Sequence, residues 1–171
     1  MAESLNSVPN GSDLLIDANV FVYGLTSQSA QCKALLERCS QEQICGITLF
    51  EILHETTHKF MIAEAFQKGF FVGQQEKGAK YLSKHPNQVR RLTDYWVNTV
   101  RLLTLNLLIL PMEREIVERA QRERVNAGLL TNDSLIVASM KEYGIFRLAT
   151  NDRQFEAVAG ISVFSPTDLV M

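Results

Sequence analysis

The 171-residue chain holds only six aspartates, and two of them close short apolar runs. Asp17 follows Leu14-Leu15-Ile16, and Asp152 lies just past Ile145–Ala149. Asp133 and Glu51 stand in the opening turns of two helical patterns. Short apolar runs of this kind read as buried strands, and open parallel sheets build their sites beyond the carboxyl ends of strands. All four carboxylates can reach that edge. Singly, each has a structural explanation: a turn at Asp17, an Asx turn at Asp152, helix-dipole stabilisation at Asp133, a capping-box acid at Glu51. Together they would repel. Two carboxylates about 4 Å apart cost about 1 kcal/mol in water and about 4 kcal/mol at an effective dielectric near 20. Such a quartet calls for cations, and oxygen-only ligation suits Mg²⁺ or Mn²⁺ better than zinc. One or two such ions beside a phosphodiester can activate water and stabilise the leaving oxygen, so the pattern points to phosphodiester hydrolysis.

The elements that must hold these acids alternate. Strands are expected at Leu14–Ile16, Gln43–Ile47, Asn106–Leu110, Ile145–Ala149 and Ile161–Phe164. Helices are expected at Ser29–Ser40, from Thr48 to about Ala65, at Asn87–Leu103, at Glu113–Asn126 with Gly128 as its stop, and from Thr131 or Asn132 to Tyr143. Thr48-Leu-Phe-Glu51 has the form of a capping box. Val89, Leu92, Trp96, Val100 and Leu103 recur at helical spacing, and this stripe reads as core packing, with a partner contact as the alternative. Apolar strands alternating with helices define an α/β fold with a mainly parallel sheet. Residues 1–12 read as a flexible N-terminal arm, residues 13–165 as a single domain with a helical insertion at about 66–103, and residues 166–171 as a C-terminal tail.

Composition narrows the class. Hydrophobic residues make up 46% and charged residues 21%, a globular balance. No apolar run approaches the roughly 20 residues of a membrane span, and the first residues lack the basic start and apolar stretch of a signal peptide. A cytoplasmic protein without membrane contact is the expectation. Cys32, Cys39 and Cys45 form no CxxC pair and suggest neither a disulfide framework nor a metal knuckle. The net charge of −2 excludes a strongly basic nucleic-acid binder, but residues 58–101 carry eight Lys and Arg against three acids. That segment is +5 and the remainder −7, which reads either as two solvated helical faces or as a phosphate-attracting surface near an acidic site.

Four stretches in order then resemble the PIN-domain nucleases, most nearly the VapC-type ribonuclease toxins of toxin–antitoxin pairs. They are Leu15-Ile-Asp17-Ala-Asn19, Thr48-Leu-Phe-Glu51-Ile-Leu, Thr131-Asn-Asp133-Ser-Leu-Ile-Val-Ala138 and Ala149-Thr-Asn-Asp152-Arg-Gln-Phe155. The resemblance spans roughly residues 13–165. It implies a PIN-like three-layer α/β/α sandwich and a Mg²⁺- or Mn²⁺-dependent endoribonuclease acting on single-stranded RNA. It also implies Asp17 and Asp133 as metal ligands, Glu51 completing the site, and Asp152 holding a second metal or its waters. Asn19, Thr150 and Asn151 match polar positions that hold phosphate or ordered water. A homodimer and a small antitoxin protein are the implied partners. The long segment 66–101 departs from the most compact members. A PIN-like scaffold that binds RNA without cutting it is the non-enzymatic alternative.

A competing motif overlaps the second stretch. His54-Glu55-Thr-Thr-His58 matches HExxH, the zinc-protease signature, on an expected helix. The extended form is absent, because Met61 and Glu64 stand where Gly and His belong, although Glu76 could supply a third ligand. On a helix Glu51, His54, Glu55 and His58 fall within an arc of about 100°. The histidines can then serve as polar surface or touch substrate phosphate, the zinc protease being the remaining reading.

Overall fold

The computed structural model describes residues 1–72 and 77–169. Six parallel strands form one sheet in the order β1-β6-β5-β2-β3-β4. They are β1 (Glu3–Ser4), β2 (Asp13–Ile16), β3 (Cys45–Leu49), β4 (Leu107–Leu110), β5 (Arg147–Ala149) and β6 (Ser162–Ser165). The helices are α1 (Ala18–Leu25), α2 (Ala30–Ser40), α3 (Phe50–Gln67), α4 (Gly78–Lys84), α5 (Pro86–Val89), α6 (Asp94–Leu103), α7 (Arg114–Ala127) and α8 (Thr131–Glu142). This is the α/β/α layering expected of the sequence. The core gathers Leu14, Leu15, Ile16, Ile47, Leu49 and Leu148 from the central strands against Phe21, Leu35, Phe60 and Val137 from the helices. Strands buried on both faces read as continuous apolar runs, which is why they were legible.

The topology positions the site. From β2 the chain builds outward through β3 and β4, then returns to lay β5 on the other side of β2. The switch point therefore lies between β2 and β5, where Leu15 pairs with Leu148 and Ile16 with Ala149. Ligands in open α/β sheets bind in the crevice at such a point, beyond the strand ends.

Several expectations change. Residues 1–12 are built into the fold, not a loose arm. β1 adds an edge strand beside β6, and Leu5 and Val8 are buried in the main core. Helix α1 was not expected, because its sequence is apolar nearly all round and shows no amphipathic period. Asp17 caps it through a bond from the Ala18 amide. The capping box at Thr48 does not form. Thr48 stays in β3, fully buried, and its hydroxyl donates to Ile16 O at 3.2 Å, so α3 starts at Phe50 without a side-chain cap.

The expected helix Asn87–Leu103 is two helices, α5 and α6, broken at residues 90–93. The break follows from Glu64, a buried acid on α3 that accepts from the amides of Thr93 and Tyr95, both at 2.7 Å, and from Lys68. It caps α6 from another helix, satisfying donors that the start of a helix leaves free. Burial alone would raise the Glu64 carboxyl, but Lys68 and the backbone amides outweigh it and hold the group below the usual range. This cap sets the phase of α6. Leu92, Thr99 and Leu102 turn inward, while Trp96, Val97, Val100 and Leu103 lie exposed. The stripe read as core therefore packs only at its start. Of the cysteines, Cys32 and Cys39 are buried, Cys45 is exposed, and all three are free. Among the described residues no helix is long and apolar enough to cross a membrane.

Candidate active site

The backbone first brings the tips of β2 and β5 together: the amide of Asp17 donates to Ala149 O at 3.0 Å. Thr150, the next residue, is fully buried. Its hydroxyl donates to Asp17 Oδ2 at 2.7 Å and accepts from Asn19 Nδ2 at 3.2 Å and from the Asp152 amide at 3.0 Å. Asn19 Nδ2 also donates to Asp17 Oδ2 at 2.5 Å, and Asn19 Oδ1 accepts from the Asn151 amide at 3.0 Å. One threonine and one asparagine thus tie Asp17, Asn151 and Asp152 into a single network. The Thr150 hydroxyl is spent inside it and Asn19 is largely committed too, so both position the acids. The side chain of Asn151 remains exposed.

Asp17 is buried, and that burial pushes its carboxyl above the ordinary range. The Thr150 hydroxyl, the Lys59 ammonium and the Ala18 amide offset part of the rise, while Glu55 adds to it. Asp133, in the first turn of α8, is half-buried. Its carboxyl is raised by burial first, then by the negative charges of Asp152, Asp17 and Glu55, with Lys59 acting against them. Asp152 caps the short 3₁₀ turn Arg153–Ala157 by accepting from the Gln154 amide at 2.9 Å. Three of the four expected acids therefore share one electrostatic field. Two of them, Asp17 and Asp152, also cap the element that follows them, so the structural and chemical explanations hold at once.

Glu51 stands at the margin of this field. It lies exposed in the opening turn of α3, against Phe50, Leu110 and Met112 on one side and sharing a small pocket with Glu55 and Asn132 on the other. Glu55, one turn further on, adds its charge to Asp17 and Asp133. It bonds Lys59 at 2.8 Å, and both side chains are only partly exposed. The signal for Glu55 was present in the sequence as an acid on the same helical face as Glu51, but the HExxH pattern claimed it. That pattern does not describe the site. His54 and His58 are exposed, Glu55 is paired with Lys59, and Glu76 lies outside the described residues.

Asp17, Glu55, Asp133 and Asp152 offer only oxygen donors, and their mutual repulsion with a buried member is what a divalent cation relieves. The donor chemistry fits Mg²⁺ or Mn²⁺. Among the described residues no three His, Cys, Asp or Glu side chains stand close enough to chelate an ion as they are. Side-chain adjustment, with Lys59 yielding its share of the field, is what the fit requires.

A group of carboxylates lies at the switch point of a parallel sheet on an α/β scaffold, braced by a buried threonine. The chain belongs to the PIN domain family, whose model matches residues 14–161. It is 24% identical over 149 residues to Ribonuclease VapC2 of Methanocaldococcus jannaschii, covering 85% of this chain and 88% of that one. Among solved structures it is similar to VapC20 of Mycobacterium tuberculosis, a sarcin–ricin loop cleaving toxin. The TM-score is 0.56 at 12% identity, over 88% of this chain and 98% of the other. It is also similar to VapBC2 from Rickettsia felis bound to a promoter DNA fragment. That TM-score is 0.55 at 14% identity, over 90% of this chain and 98% of the other.

Proposed function

We propose that this chain is a divalent-metal-dependent endoribonuclease that cleaves single-stranded RNA and serves as the toxin of a toxin–antitoxin pair. The observation that carries the reading is the charge cluster: Asp133 lies in the repelling field of Asp152, Asp17 and Glu55. A scaffold that only bound RNA gains nothing from acids that destabilise one another and repel phosphate. Family membership supports the chemistry, and the ribonuclease and toxin names of the similar proteins support the substrate and the role.

In this reading Asp17, Asp133 and Asp152 would hold Mg²⁺ or Mn²⁺, with Glu51 and Glu55 on neighbouring turns of α3 completing the site directly or through water. The bound cation supplies the charge that lowers the pKa of water and offsets charge building on the phosphate. The rest falls to the chain. Thr150 and Asn19 keep Asp17 oriented. Glu55 stands ready to accept a proton from the attacking water, and Lys59 draws the phosphate towards an otherwise negative site. The exposed Asn151 side chain contacts a phosphate oxygen or its water. A small antitoxin protein and a second copy of the chain are the expected partners. The exposed face Trp96, Val97, Val100 and Leu103 is an apolar surface suited to such contacts.

The test is cleavage of end-labelled single-stranded RNA with Mg²⁺ or Mn²⁺, comparing wild type with Asp133→Asn. Cleavage by wild type alone, abolished by EDTA, is the expected result. Equal cleavage by both proteins would refute the assignment.

A further inference from the structure

Beside the carboxylates lies a second cavity, of about 410 Å³, that the hydrolytic reading leaves unused. It opens between α1, α3 and α4, and Asn19, Tyr23, Gln28, His58, Lys59 and Ala63 line it. Its volume falls in the roughly 300–1,000 Å³ range of small-ligand sites. Two lining residues belong to both places. Asn19 bonds Asp17, and the charge of Lys59 acts on Asp17 and Asp133, so the cavity is the direct continuation of the acidic site.

The lining groups have a common chemistry. Tyr23 and His58 supply two aromatic faces, and among the described residues neither side chain makes a hydrogen bond within the protein. Gln28 gives its Nε2 to Thr26 Oγ1 at 2.7 Å, which leaves its Oε1 to accept. Lys59 brings a cation to the boundary with the carboxylates. Ala79 of α4 forms part of the wall, and the same helix and its flank carry exposed Lys77, Lys80 and Lys84. Among the described residues these three make no ion pair and supply much of the basic excess. Lys68 serves Glu64, Arg91 stacks over Phe70 at 4.8 Å, and Arg101 bonds Leu25 O.

Aromatic faces, an amide acceptor, a cation at the mouth and lysines beyond are the means by which proteins hold an unstacked base and its backbone. We propose that this cavity seats the nucleobase adjoining the scissile phosphate of a single-stranded RNA. Tyr23 and His58 stack on the base, Gln28 accepts from its edge, and Lys59 meets the phosphate between cavity and carboxylates. The proposal rests on the ribonuclease reading for the position of the cut. It makes His58, the last residue of the HExxH pattern, a substrate contact.

The test measures binding apart from chemistry. Asp133→Asn protein is titrated in EDTA against a fluorescein-labelled, ten-nucleotide, random-sequence single-stranded RNA, followed by anisotropy. Tyr23→Ala should weaken binding roughly 5- to 150-fold, the span of a lost base–aromatic stack, while Tyr23→Phe keeps it. Ala63→Trp, which fills the cavity, should match Tyr23→Ala. Sequencing of fragments cut by otherwise wild-type protein should show a base preference beside the cut that Tyr23→Ala flattens. Binding within twofold of the parent for both folded Tyr23→Ala and Ala63→Trp overturns the proposal, as does a parent that binds no RNA. Unchanged RNA binding with altered oligomeric state in light scattering would assign the cavity to a protein contact, and also overturns it. Normal metal-dependent cleavage with insensitive variants would spare the ribonuclease reading. Variant-sensitive binding without any cleavage would refute that reading and leave the cavity's role standing.

Discussion

Asp133→Asn should raise the melting temperature of the metal-free protein. Asp133 is pushed above the ordinary carboxylate range by burial and by Asp152, Asp17 and Glu55, with Lys59 opposing them. Three repulsions against one attraction leave a net of two. At about 6 Å each is worth between about 0.7 and 2.8 kcal/mol for effective dielectrics of 80 and 20. Asp133 is partly exposed and screened by salt, so the low end applies and the relief is about 1–2 kcal/mol. For a chain of this size that is roughly 2–8 °C. A raised carboxyl means that the native state holds its proton more tightly than the unfolded chain. Ionisation then costs stability as pH rises from the unfolded carboxylate value through the folded one, and the full cost is present above that. The gain from Asp133→Asn should therefore be larger at pH 7 than at pH 4. Asp17→Asn is the contrast. That carboxylate accepts from Ala18 N, Asn19 Nδ2 and Thr150 Oγ1, and an amide would turn a donor towards donors. It should bring no gain. Calorimetry of the three proteins in EDTA at both pH values decides the matter. A lower melting temperature for Asp133→Asn at pH 7, or a gain equal at pH 4, would refute the electrostatic account.

Thr150→Val should destabilise by about 1–3 kcal/mol, because it removes the donor to buried Asp17 and the acceptor of two further bonds. Urea titration at constant m-value checks this. Glu64→Ala should cost about 1.5–3 kcal/mol by uncapping α6 and freeing Lys68. The lowered Glu64 carboxyl adds a pH signature: its stabilisation is present above the unfolded carboxylate value and is lost as pH falls through the folded one. Denaturant midpoints for wild type and variant should converge at low pH. Glu51→Gln and Glu55→Gln should each reduce RNA cleavage by roughly 10- to 100-fold, the cost of losing a supporting partner. Single-turnover rates on one RNA check both. Mn²⁺ at 100 times its Kd should stabilise wild type by about 2.7 kcal/mol, and calorimetry should show that shift missing in Asp133→Asn.

Five of the six strands and three of the clustered acids were legible because their signals are local. Leu14-Leu15-Ile16 and Ile145–Ala149 are apolar runs that end beside Asp17 and Asp152. What escaped depends on contacts across the fold. Helix α1 is apolar all round because it is buried, so periodicity is silent there. Thr48 looked like a cap, yet a bond to Ile16 O, 32 residues away, keeps it in the strand. Glu55, one turn past Glu51, adds its charge to Asp17 and Asp133, a contribution that local spacing alone did not single out. The break before α6 depends on Glu64, 29 residues from the amide of Thr93. The inward face of α6 followed from that cap and not from the apolar stripe.

The pairing of Thr150 with Asp17 spans 133 residues of sequence. Chains are made from the amino end at roughly 5–20 residues per second, so Thr150 follows Asp17 by roughly 7–27 s. Through that interval Asp17 lacks its brace, and β2 lacks its neighbour β5. Asp133 and Asp152 follow Asp17 by 116 and 135 residues as well. The acidic cluster is thus assembled only after these distant segments have been made, and the elements that precede them cannot form it alone.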